Sequence, residues 1–147
     1  GQEADISKEE NVDQINNKGL KGMVNYTGPE YIDDNYVEYN NADIFVFPTY
    51  YLTEACPGGI LQAMQFSLPI ISTFEAAIPD MIENGYSGFL VNKNNPKEIS
   101  EKIKLLLENR DLRIKVGKEA RKQYLNRFTF DKFENNMISV FNNILKK

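Results

Sequence analysis

"DIFVFPTYYLTEACPGGILQAMQFSLPIIST", residues 43–73, decides the fold. "DIFVFPT" is a nearly unbroken apolar run, as expected of a strand covered on both faces in a parallel sheet. "PGGILQAMQFS" reads as a helix, and "PIIST" reads as a second strand with Pro69 at its start. Strand, helix and strand in that order predict a parallel pair joined by a helical crossover.

The pattern continues on both sides. Upstream, "DISKEENVDQINNKGL" is compatible with a solvated helix stopped by Gly19. "MVNYTG" then reads as a short strand, and "DDNYVEYNNA" as a helix with Asp33 or Asp34 as N-cap. Asp33 and Asp34 also suggest a metal, but the N-cap reading is the simpler one. Downstream, "AIPDMIENGYSG" reads as a short helix and turn, and "FLV" as a fourth short strand. "NPKEISEKIKLLLEN" starts a helix with Asn95 as N-cap, Pro96 next and Glu98 at the third position. Ile99, Ile103, Leu106 and Leu107 share one of its faces. Two further amphipathic helices, "DLRIKVGKEARKQYLNRF" and "FDKFENNMISVFNNILKK", close the chain. The fold class is α/β, a Rossmann-like parallel sheet with helices on both faces, ending in a cluster of helices. Four strands are few for such a sheet, and the chain begins at Gly1 without Met. A preceding portion of sheet is therefore expected outside it.

Composition narrows the chemistry. The 147 residues suffice for one domain with a real core. A net charge of −4 argues against a dedicated nucleic-acid binder. The longest apolar runs are far too short to span a bilayer as a helix. One cysteine forbids an internal disulfide, and a reducing, intracellular setting is the simpler reading. Cys56 is expected to be a small packing residue. The chain contains no His, which rules out every Ser-His, Cys-His and His-metal arrangement within it.

Ligands of such sheets bind beyond the carboxyl ends of the strands. If Pro57 is the first helical residue, the N–H groups of Gly58, Gly59 and Ile60 lie free at the helix start. Phosphate fits there, and glycine lets it approach the backbone. Gln62 lies four residues after Gly58, on the same face, and leans back toward it. Glu54 stands in the loop above. A Pro-Gly-Gly turn between a strand and a helix is equally a plain turn, and spacing alone leaves both readings open. No Gly-Lys-Ser/Thr follows, so this is not a Walker loop.

The combined motif resembles the C-terminal domain of family 4 glycosyltransferases of the GT-B fold. That family runs as a strand ending in Pro-Ser or Pro-Thr, then Glu, seven residues, Glu-Ala-Met, Gly-x-Pro-Val-Ile and Gly-x-x-Gly-x-Leu-Val. Here the match is Pro48-Thr49, Glu54, seven residues, Gln62-Ala63-Met64, Ser67-Leu68-Pro69-Ile70-Ile71, and Gly85-Tyr86-Ser87-Gly88-Phe89-Leu90-Val91. The resemblance covers roughly residues 20 to 147.

It implies one partial nucleotide-sugar-binding domain over residues 1–147, with the N-terminal acceptor domain outside this chain. The implied activity is hexosyl transfer with retention, and the isolated fragment is expected to be inactive. The expected setting is surface polysaccharide or glycolipid synthesis, with an acceptor glycan or glycolipid held by the missing domain. Glu54, the catalytic candidate, would contact the transferred sugar. Gly58 and Gly59, with Ile60 beside them, would hold the diphosphate. Gln62 would bond the ribose, and Gly28 and Pro29 would line the base. The donor would be a nucleotide sugar such as a UDP- or GDP-sugar, bound without metal or other cofactor. A cytoplasmic parent is expected, with peripheral contact at the inner face of the membrane and no nucleic-acid partner.

The departures are specific. Gln62 replaces a Glu, Ser67 and Ala76 replace usual glycines, and Gly58 and Gly59 stand where bulkier apolar residues are common. A second reading follows from Gln62: a non-catalytic Rossmann-like domain that only binds a ligand or partner. Elsewhere, Glu75 and Asp80 read as a loop near the donor site or as a capped surface turn. Tyr50 and Tyr51 read as a shield over the site, with ordinary packing as the default. The stripe Phe128, Phe130, Phe133, Met137, Val140, Phe141 and Ile144 is expected to pack in the core. In the resembling family the last helix reaches the other domain, so part of the stripe is expected to stay exposed. Alternating Lys and Glu between 97 and 122 read as a solvated face.

Overall fold

A computed structural model describes residues 7–27 and 35–145. The chain divides into two compact units, Gly1–Tyr36 and Val37–Lys147. In the first, α1 (Lys8–Asn17) starts with a capping box. Ser7 Oγ accepts from Glu10 N at 3.1 Å, and Glu10 Oε2 accepts from Ser7 N at 2.8 Å. The strand expected over residues 23–28 does not form in the described part of that segment. Leu20 O accepts from both Met23 N (3.0 Å) and Val24 N (3.1 Å), so the chain turns where a strand would extend. Only an isolated bridge, Lys21 with Val24, remains. The proposed caps Asp33 and Asp34 lie outside the described residues.

α2 (Asn35–Asn41) leads into the second unit, where β1 (Phe45–Phe47), β2 (Ile70–Thr73) and β3 (Phe89–Val91) form a parallel sheet in the order β1-β2-β3. Between them run α3 (Gly58–Gln65) and α4 (Ile78–Met81). α5 (Pro96–Glu108), α6 (Arg110–Arg127) and α7 (Phe130–Leu145) follow. Side chains alternate across the strands and build two cores. Phe45, Phe47, Ile70 and Leu90 meet Ile60 and Met64 of α3, Ile78 and Met81 of α4, and Ala120 of α6. Val46, Ile71, Phe89 and Val91 meet Ile99, Ile103 and Leu106 of α5 and Val116 of α6. β2, between two strands, is buried throughout; β1 is only half-buried because it pairs on one side among the described residues.

α6 serves both cores because it crosses beside the start of β2. A Cβ on Gly117 would collide with the carbonyl oxygen of Ser67, so only glycine permits this approach. Arg121 Nη1 donates to Gln65 O at the end of α3, adding a polar tie to the same crossing. Two expectations about apolar faces fail. Leu107 is 59% exposed, since it lies about 100° around α5 from the fully buried Leu106. In α7 no residue is buried: Phe130 is 75% exposed and Phe141 55%. Phe128, just before it, is half-buried in the first core. The stripe is therefore an amphipathic face in contact with solvent in this chain. Among the described residues no helix is long and apolar enough to cross a membrane.

Ser67 (φ 58°) and Ala76 (φ 48°) occupy the left-handed region, at the two positions where the resembling family carries glycine. A Cβ there costs about 1–2 kcal/mol, partly offset by the greater freedom a glycine has when unfolded. Ser67→Gly and Ala76→Gly should each stabilise the chain by about 0.5–1 kcal/mol, read as a higher urea midpoint at constant m.

Glu98, at the start of α5, is held below its ordinary value of 4.5 by hydrogen bonds from Asn92. Its Oε1 accepts from Asn92 Nδ2 (2.9 Å) and Asn95 Nδ2 (2.6 Å), and its Oε2 from Asn92 N (2.8 Å). The unfolded chain binds the proton more readily, so this contribution is present above pH 4.5 and fades as pH falls through the lowered value. Glu98→Gln should flatten that part of the melting temperature's acid-side fall, measured between pH 6 and about pH 3.

Candidate functional site

The site is built where β1 ends. A buried hydroxyl needs a partner, and the two at the end of β2 find theirs on the neighbouring chain segment. Ser72 Oγ donates to Phe47 O at 2.8 Å, and Thr73 Oγ1 donates to Thr49 O at 2.7 Å. These bonds carry the sheet's pairing two residues past the end of β1. The fixed Thr49 in turn organises the loop. Its Oγ1 donates to Glu54 Oε1 at 3.2 Å and accepts from Tyr51 N at 3.2 Å. Glu54 O accepts from Ala77 N at 3.1 Å. Glu54 is thus tied through side chain and backbone, half-buried, and Oε2 has no partner among the described residues.

Beyond the loop, Pro57 is buried and serves as the N-cap of α3, so the helix starts at Gly58, one position later than expected. No side chain caps this helix. Pro57 O accepts from Ile60 N (3.1 Å) and Leu61 N (3.3 Å). The amide of Ile60 is therefore committed inside the helix, and its side chain is fully buried. The amides that precede the helical ladder are those of Gly58 and Gly59. A Cβ on Gly58 would meet nothing within 4 Å, so its outer surface is open. A Cβ on Gly59 would sit 3.3 Å from Phe45 Cζ and 3.5 Å from Tyr39 Oη. Glycine at 59 leaves room for the Phe45 ring under the first turn, while Tyr39 stands at ordinary contact distance.

Gln62, one turn further, is half-buried, and its Oε1 accepts from Tyr39 Oη at 3.1 Å. The Tyr39 ring stacks on Phe66 (centroids 5.7 Å) and tilts against Phe45 (5.6 Å). Burial raises the Tyr39 hydroxyl above its ordinary 10.0, so it keeps its proton as a donor. Spacing had offered no hint of Tyr39, which lies 23 residues before Gln62. The bracing role of Thr73 was equally hidden, although a hydroxyl at the carboxyl end of a buried strand is a readable signal.

Other candidates fall elsewhere. Gly28 and Pro29 lie outside the described residues. Cys56 is exposed, because it sits in the loop before the helix and not on the packed face. Tyr50 and Tyr51 stack on each other (5.8 Å) and stay exposed, which overturns the packing default. Glu75 Oε2 pairs with Lys93 Nζ at 3.2 Å on the turn after β2. Among the described residues no group of three or more His, Cys, Asp or Glu is placed to hold a metal.

A parallel sheet with helices on both faces, and a pinned acid beside a glycine-opened helix at its carboxyl edge, defines a Rossmann-like unit. Its arrangement is that of the C-terminal domain of GT-B glycosyltransferases. The chain belongs to the family described as Glycosyl transferases group 1, whose profile matches residues 6–123. It is 30% identical over 142 residues to the capsular polysaccharide biosynthesis glycosyltransferase CapM of Staphylococcus aureus, covering 97% of this chain and 37% of that protein. The chain thus spans little more than a third of that relative's length. In fold it is similar to Anabaena Alr3699/HepE, solved with UDP-glucose (TM-score 0.82, 18% identity, 92% of this chain and 36% of that one). It is also similar to the C-terminal domain of the group 1 protein LpcC of Francisella tularensis (TM-score 0.72, 23% identity, 84% and 63%).

The two glycines should answer differently to a methyl group. Gly58→Ala should leave the melting temperature unchanged or slightly raised, while Gly59→Ala, whose methyl would press on Phe45 Cζ, should melt lower than Gly58→Ala.

Proposed function

We propose that this chain is the donor-binding part of a retaining glycosyltransferase that takes a nucleotide sugar for surface polysaccharide or glycolipid synthesis. One observation carries the reading. Glu54, held by Thr49, lies in the loop that follows β1, and Gly58, Gly59 and Gln62 lie on α3, which that loop leads into. Family membership, the UDP-glucose complex of Alr3699/HepE and the capsular role in CapM's name support it.

In this reading the diphosphate sits on the amides of Gly58 and Gly59. As the glycosidic bond breaks, negative charge grows on the leaving diphosphate. Two fixed N–H donors and the positive end of α3 stabilise that charge more than they stabilise the ground state. Glu54, held by Thr49, orients the sugar being transferred. Gln62 faces the ribose. The acceptor is held by parts of the protein beyond this chain. The base stays open, between a uracil and a guanine nucleotide.

Gln62 in place of an acid favours a second reading, a binding domain without transfer. The full-length protein separates the two, through thermal shift with UDP- and GDP-sugars and product formation with membrane lipid extracts or glycans as acceptors. The first reading expects a nucleotide-dependent rise in melting temperature. It also expects turnover that falls by about 100-fold in Glu54→Ala, the scale of a lost transition-state contact. Gln62→Glu should tighten UDP about 3- to 10-fold, because a charged acceptor strengthens the bond. A folded protein with no response to any sugar nucleotide contradicts the reading.

A further inference from the structure

We propose that Tyr39 is a positioning residue that makes Gln62 a hydrogen-bond donor toward the ligand at the start of α3. The proposal rests on the donor-site reading above and adds the polarity of its ribose contact. A glutamine side chain has one acceptor end and one donor end. Here Tyr39 Oη donates to Gln62 Oε1 at 3.1 Å and turns that oxygen toward the tyrosine, while Nε2 has no protein partner among the described residues. The protons of Nε2 are then what the side chain offers to a ligand. In the reverse amide orientation Nε2 would donate to Tyr39 Oη and the hydroxyl proton would have no protein acceptor among the described residues, so the observed orientation satisfies more of the pair within the protein.

The tyrosine is built to do this. Its ring is held between Phe45 (5.6 Å) and Phe66 (5.7 Å), which fixes the hydroxyl without help from the ligand. The tyrosine and the glutamine thus form one device. An acid at position 62 would accept hydrogen bonds from ligand hydroxyls. Gln62, with its oxygen turned to Tyr39, presents the protons of Nε2, which need a lone pair, and a ribose hydroxyl oxygen supplies one.

The test compares UDP, 2′,3′-dideoxy-UDP and inorganic pyrophosphate as titrants of the full-length protein. The wild type should bind UDP more tightly than the dideoxy analogue. Tyr39→Phe, which keeps both ring contacts, should weaken UDP about 5-fold and abolish that discrimination, with pyrophosphate and dideoxy-UDP unchanged. Gln62→Leu should lose the same discrimination, and adding Tyr39→Phe to it should change nothing further. A purely structural tyrosine would weaken all three titrants alike, and that result overturns the proposal. Wild type and Tyr39→Phe binding UDP equally, with equal discrimination, also overturns it and leaves the donor-site reading standing. No UDP binding by the folded wild type overturns both.

Discussion

Once β1 ends at Phe47, the carbonyl of Thr49 has no strand of its own to pair with, and the buried hydroxyl of Thr73 takes it at 2.7 Å. The site depends on that bond. It fixes Thr49, Thr49 fixes Glu54, and the fixed loop delivers Pro57 as the cap of an otherwise uncapped α3. A neutral buried hydrogen bond contributes only about 1 kcal/mol net, but an unpaired one would cost up to about 3 kcal/mol. The penalty for losing it, more than the gain from making it, gives the loop a single geometry.

The second constraint is space under the first turn of α3. Glycine at 58 keeps the outer surface open, and glycine at 59 leaves room for Phe45 beneath. These two positions look alike in the sequence and do opposite things. The departures from the family pattern also sort differently. Ser67 and Ala76 retain the backbone conformation that glycine serves elsewhere, and therefore carry strain. Gln62 carries no strain and changes chemistry, from a charged acceptor to a neutral amide already engaged by a tyrosine.

Much of the sheet was legible because its signals are local. Pro69 before a β-branched run marked β2, and the Asn95-Pro96-Glu98 start of α5 appears with the expected cap, Asn95 accepting from Glu98 N at 3.2 Å. The apolar run before Pro48 did place Glu54 and the glycines after the end of β1. Long-range choices were not legible. Residues 23–28 have strand composition, yet Leu20 O captures the amides of Met23 and Val24 and turns the chain. The stripe of α7 has the period of a core face, but period cannot say whether the covering surface lies in the same chain. Pro57 and Ile60 shifted by one position because the cap depends on the backbone angle of Pro57, which proline leaves open in ψ. Tyr39 was invisible, since its role exists only after α2 packs beside α3.

The central claim is that the start of α3 holds a diphosphate, and a crystal structure of the full-length protein with UDP tests it most directly. The account predicts phosphate oxygens within hydrogen-bond distance, about 3 Å, of the amides of Gly58 and Gly59, and the ribose beside Gln62 Nε2. UDP bound elsewhere in the protein, with those two amides facing water, would contradict it.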